Sequence, residues 1–126
     1  MVDVIERAEE VLSIGIERKA AAAIEKIKEG RLGAAEKDVE WIINAAREEL
    51  ALGYAEMKKK PELRKQERQL EELRAKMIND ARDVLDKIRK GEGKEAESIL
   101  RRIKEEAGAA FGGEAATERR AKRKAS

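Results

Sequence analysis

Five cations, Arg119, Arg120, Lys122, Arg123 and Lys124, fall within six residues near the C-terminus, interrupted only by Ala121. Lysine and arginine in such a run neutralise phosphate charge and release condensed counterions without touching base edges. The pattern therefore suits a nucleic-acid backbone or another polyanion and carries little sequence discrimination. Basic runs also solubilise chain ends or meet anionic membrane surfaces, and both readings stand beside the first. A second cluster, Lys58, Lys59, Lys60, Arg64, Lys65 and Arg68, crowds the junction of two predicted helices, with Glu56, Glu62 and Glu67 as its acidic neighbours. Two basic regions in one small chain make a phosphate-binding surface more credible than either alone. The last thirteen residues set these five cations against Glu114 and Glu118, a charge of +3; with a net charge of +2 overall, the other 113 residues carry −1.

Other chemistry is sparse. The chain has no cysteine and no histidine, which removes disulfides, thiol nucleophiles, imidazole bases and the usual zinc, copper or haem ligands. No glycine run leads into Lys-Ser or Lys-Thr as a P-loop requires, so Gly30, Gly33, Gly91 and Gly93 read as turns. Carboxylate pairs such as Glu9/Glu10, Glu48/Glu49 and Glu71/Glu72 are of the type that holds Mg²⁺ or Ca²⁺, but neighbours on a helix point about 100° apart. No metal site, no cofactor and no enzymatic activity are expected. Trp41, Tyr54 and Phe111 are the only aromatic residues, too few for a base-stacking platform. Trp41 falls at the edge of an apolar stripe, where it either packs half-buried or anchors an interface.

The elements that position these residues are all helical. Glycine and proline divide the chain into stretches over about 3–28, 34–59, 61–90 and 94–106, because glycine favours helix C-caps and proline the first turn. The first places Val4, Ile5, Ala8, Val11, Leu12, Ile16, Ala20, Ala23, Ile24 and Ile27 on one face, and the second Val39, Ile42, Ile43, Ala46, Leu50, Tyr54 and Met57. The third opens with a polar half in which Leu63, Leu70 and Leu73 are the large apolar residues. Met77, Ile78, Ala81, Val84, Leu85 and Ile88 follow, and the fourth helix turns Ala96, Ile99, Leu100 and Ile103 inward. Glu72 with Lys76, Asp83 with Lys87 and Glu97 with Arg101 have the spacing of i, i+4 ion pairs.

The segments from Ile24 to Gly30 and from Leu85 to Gly91 align at a constant offset of 61 residues, and the match continues through Ala35/Ala96, Ile42/Ile103 and Ala46/Ala107. Two repeated αα-hairpins pairing antiparallel predict an all-α four-helix bundle over 1–106, followed by a Gly/Ala-rich linker and basic tail over 107–126. Alanine supplies 21 of the 52 hydrophobic residues, so the core is thin and self-association or a helical partner is expected. Leu63, Leu70, Leu73 and Met77 have heptad-like spacing and, with Trp41, are the candidate interface residues.

Charged residues make up 44% of the chain against only two Asn and two Gln, a bias shared by proteins from hot environments and by idealised designed bundles. No N-terminal stretch has the form of a secretion signal and no apolar run approaches a membrane span, so a non-secreted, cytoplasmic or intravirion protein is expected. Two functions fit. One is a self-associating structural protein that binds nucleic-acid phosphates non-specifically, DNA favoured over RNA, as a coat or nucleoprotein subunit does in packaging DNA. The other is a helical protein-protein interaction module, natural or designed, whose basic tail solubilises it.

Overall fold

The computed structural model describes residues 7, 8 and 10–109; the tail cations Arg119, Arg120, Lys122, Arg123 and Lys124, and Val4 and Ile5, lie outside these. Helix α1 (Glu17–Lys28) continues a π-helical segment, Val11–Ile16, and is followed by α2 (Leu32–Lys58). A 3₁₀ turn, Pro61–Leu63, leads into α3 (Arg64–Arg89), and α4 is Gly93–Ala109. Helix α1 packs on α2 and α4, and α3 packs on α2 and α4, which closes an antiparallel four-helix bundle.

Each hairpin turns on one glycine. Gly30 and Gly91 both have φ of 76°, in the left-handed region that side chains with a Cβ avoid. At the first turn the N–H of Gly30 donates to Ile27 O at 3.0 Å and that of Arg31 to Lys26 O at 2.8 Å. At the second, Gly91 donates to Ile88 O at 3.1 Å and Glu92 to Lys87 O at 2.8 Å. Both are Schellman caps, which satisfy the last free carbonyls of a helix, and they match bond for bond at the 61-residue offset. Gly33 and Gly93, expected to share the turns, instead lie in the first turns of α2 and α4. One left-handed residue already reverses the chain. Gly30→Ala and Gly91→Ala are each expected to cost about 1–2 kcal/mol in denaturant unfolding, and by similar amounts, because the two turns are copies.

The buried faces repeat as well. Ala20, Ile27, Ala35, Ile42 and Ala46 are buried, as are their counterparts Ala81, Ile88, Ala96, Ile103 and Ala107. Ala107 lies inside α4, which continues to Ala109, three residues beyond its expected end, because one more inward position keeps the helix packed. Some repeated positions differ: buried Ile43 and Ala45 correspond to Lys104 and Glu106, and Asp38 is only 5% exposed where its counterpart is the buried Ile99. Lys26 Nζ donates to Asp38 Oδ2 at 2.6 Å and Lys19 Nζ lies 3.7 Å from Oδ1, so the buried carboxylate is paired on both oxygens.

The π-helical segment departs from the expected α-helix where α1 meets Trp41. A Cβ placed on Gly15 would lie 2.7 Å from the Trp41 ring, so the indole occupies the space a side chain at 15 would fill. Lys19 Nζ stands 5.6 Å from the ring centroid. Gly15→Ala is therefore expected to push the indole outward, red-shift the emission of this single tryptophan and cost about 1 kcal/mol. In a Trp41→Ala background the same change should be neutral or stabilising, since alanine is the better helix former.

The apolar stripe of α3 corrects the interface expectation. Leu70 and Met77 are fully buried in the chain's own core, and Leu63 and Leu73 pack half-buried against it. The wide turn of the bundle brings α2 over the polar-looking half of α3, and Arg74 fastens the two by donating from Nε to Ala46 O at 2.8 Å. These leucines and Met77 therefore form no free seam for a partner. Two expected ion pairs are also replaced: Lys76 reaches Glu106 on α4 at 2.6 Å, and Lys87 reaches Glu92 at 3.1 Å. Glu97 and Arg101 pair as expected at 3.8 Å. Glu106 is a partly shielded carboxylate across the helix pair, where attraction is stronger than along a solvated face, whereas Glu92 is brought to Lys87 by the α3–α4 turn.

Candidate phosphate-binding end

The up-down topology places the α1–α2 and α3–α4 turns at one end of the bundle and the α2–α3 turn at the other. The charges at the double-turn end are largely matched. Lys28 pairs with Glu25 at 3.5 Å, Arg31 with Glu29 at 3.4 Å, Arg89 with Glu36 at 3.2 Å and Lys90 with Asp86 at 2.9 Å. The hydrogen bond that Lys87 donates to Glu92, reinforced by the attraction of that carboxylate and of Asp83 and Asp86, holds the Lys87 ammonium above the usual lysine range.

The single-turn end is different. Lys58, Lys59, Arg64, Lys65 and Arg68 are exposed and Lys60 is half-buried. Lys59 pairs with Glu56 at 3.5 Å, and Lys58 Nζ lies 5.8 Å from the Tyr54 ring centroid. Among the described residues, Lys58, Lys60, Arg64, Lys65 and Arg68 make no ion pair with a carboxylate within 4.0 Å. Arg64 and Arg68 are like charges at i, i+4, an arrangement that weakens a helix. They also sit in the first turns of α3, where the helix dipole is positive and favours acidic residues. The cations there repel one another and the helix end, and an anion relieves that repulsion.

Chain geometry directs the end of α4 towards the same end. Lys76 pairs with Glu106 at 2.6 Å and Asp80 with Arg102 at 3.1 Å, a register that sets Ala109, the last described residue, level with about Leu73. Arg64 lies nine residues further along α3, a rise of about 14 Å. The ten residues from Ala109 to Arg119 span at most about 36 Å. The tail cations are thus within reach of the turn cluster, although they are far from it in sequence.

Other surface features are less pointed. A groove of about 400 Å³ between α1 and α4 is lined by Glu17, Glu25 and Glu105 against Lys28, Arg101 and Lys104, so its charges cancel. Trp41 of α2 is 38% exposed and packs beside Gly15 and Lys19, and among the described residues Ile14 and Leu52 are the other exposed large apolar side chains. Among the described residues no group of three or more acidic side chains is placed to hold a metal ion, and no helix is long and apolar enough to cross a membrane.

The fold and this end together define an all-α, antiparallel four-helix bundle of two repeated hairpins with one uncompensated basic end. Comparison with protein-family models, with curated proteins and with solved structures finds no match to this chain.

Proposed function

We propose that this protein binds the phosphate backbone of nucleic acid through the single-turn end of its bundle, with the basic tail as a second arm. The observation that carries this reading is the contrast between the two ends. At the double-turn end Lys28, Arg31, Lys87, Arg89 and Lys90 have carboxylate partners and Lys94 has none among the described residues, whereas five of the six cations at the α2–α3 turn have none, and α4 ends at Ala109 running towards that turn. Lysine and arginine that contact phosphates carry little information about base edges, so the binding is non-specific. A protein that binds in this way covers nucleic acid by number rather than by site, as a packaging or coat subunit does.

Fluorescence anisotropy of labelled single-stranded and duplex DNA and RNA oligonucleotides against the full chain tests this reading. Binding to several unrelated sequences that weakens steeply with added salt is the expected result. No binding at low salt, or binding indifferent to salt, overturns it.

A further inference from the structure

The six turn cations do not act as one patch. Lys58, Lys60, Arg64 and Arg68 converge with Pro61 on a groove of about 360 Å³ whose remaining wall is Glu67 and Glu71. Lys59 is turned to Glu56, and Lys65 does not line the groove. The contributing residues come from the end of α2, the turn and the first turns of α3, so the groove exists only because the hairpin closes.

We propose that this groove is a seat for two neighbouring phosphates, a narrower claim that rests on the phosphate-binding reading above. Four cations against two carboxylates leave the groove a charge of +2, which matches the two single charges of adjacent phosphodiesters. Arg64 and Arg68 are separated by a rise of about 6 Å, comparable with the spacing of neighbouring phosphates along a strand. Arginine presents a planar fork of donors suited to phosphate oxygens. Lys58, from the end of α2, and Lys60, from the turn, add two point charges to the same groove. Glu67 and Glu71 disfavour anions that do not reach all four cations, so the seat takes closely spaced phosphates rather than any single anion. The same chemistry is offered by a nucleic-acid strand and by free inorganic polyphosphate.

The test uses the full chain with the five tail cations replaced by glutamine, so that the groove is read without the tail. Isothermal titration calorimetry at low salt measures inorganic tripolyphosphate and a single-stranded oligothymidylate. Saturable binding is expected for at least one probe. Adding R64Q and R68Q, both on exposed side chains, should weaken it by at least about tenfold, with the helical circular dichroism unchanged. Adding E67Q and E71Q instead should tighten it severalfold, a gain that a merely structural role does not produce. Binding of tripolyphosphate without the oligonucleotide supports the seat and assigns it to free polyphosphate. Failure of the tail-neutralised chain to bind either probe, or indifference to R64Q and R68Q, overturns the seat. If the native chain still binds nucleic acid in that case, the broader reading survives on the tail alone. If the native chain binds neither probe, both fall.

Discussion

Leu70→Ala and Met77→Ala are each expected to destabilise the protein by about 2–5 kcal/mol, the range for emptying a fully buried site of this size. The reason is their place in the fold. Both side chains have no exposed surface and belong to the same apolar cluster as Leu50, Met57 and Ile42. The core is rich in alanine, which contributes little area, so each large side chain carries an outsized share of the burial. The effect should appear in urea unfolding at protein concentrations low enough to exclude association. Residues of a partner-binding seam behave otherwise: their truncation weakens assembly and leaves the stability of the isolated chain nearly unchanged. A loss below about 0.5 kcal/mol at both positions would contradict the core assignment.

Nucleic-acid affinity is expected to fall by about 10³–10⁵ between roughly 50 and 200 mM salt, the loss typical of six to ten phosphate contacts. The groove supplies four cations and the tail five, so the full complement lies in that range. For single strands each contact contributes about −0.7 to the slope of log affinity against log salt. Neutralising the five tail cations should therefore lower the slope by somewhat more than half rather than abolish binding. A slope unchanged by that substitution assigns binding to the bundle alone, and complete loss assigns it to the tail.

Periodicity and punctuation carried the fold. Leu12, Ile16, Ile42, Leu100 and Ile103 recur at helical spacing and are all fully buried, and Gly30 and Gly91 turn the chain where their caps require it. The 61-residue repeat was legible because the turn and the inward positions must match for two hairpins to form one core. Three features were not legible. Leu70, in the polar half of α3, read as part of a seam for a partner, since the sequence does not tell that α2 lies across it. The π-helical register at Val11–Ile16 and the approach of the Trp41 ring to Gly15 within it are not marked by the apolar periodicity, and only Gly15 hints at such an approach. The burial of Asp38 beside Lys26 likewise arises between helices, at a position whose repeat counterpart is isoleucine.

The candidate site was half legible. Composition located the cations of the α2–α3 turn, but charge runs are common on solvated helices, and the sequence does not show which cations find carboxylates. The structure separates Lys59, paired with Glu56, from Lys58, Lys60, Arg64 and Arg68, which share a groove. It also directs the end of α4 towards that end, through the register of Lys76 with Glu106.

The central claim is that binding belongs to one end of the bundle and not to its cations in general. Oligonucleotide anisotropy at low salt, in the tail-neutralised chain, tests it by comparing two variants of equal charge change. One replaces Lys58, Lys60, Arg64, Lys65 and Arg68 with glutamine; the other replaces Lys28, Arg31, Lys87, Arg89 and Lys90 at the opposite end. The account predicts that the first loses binding and the second retains it. Equal losses in the two would contradict it, because they would show that net charge, and not the unpaired cations of the α2–α3 turn, holds the phosphate backbone.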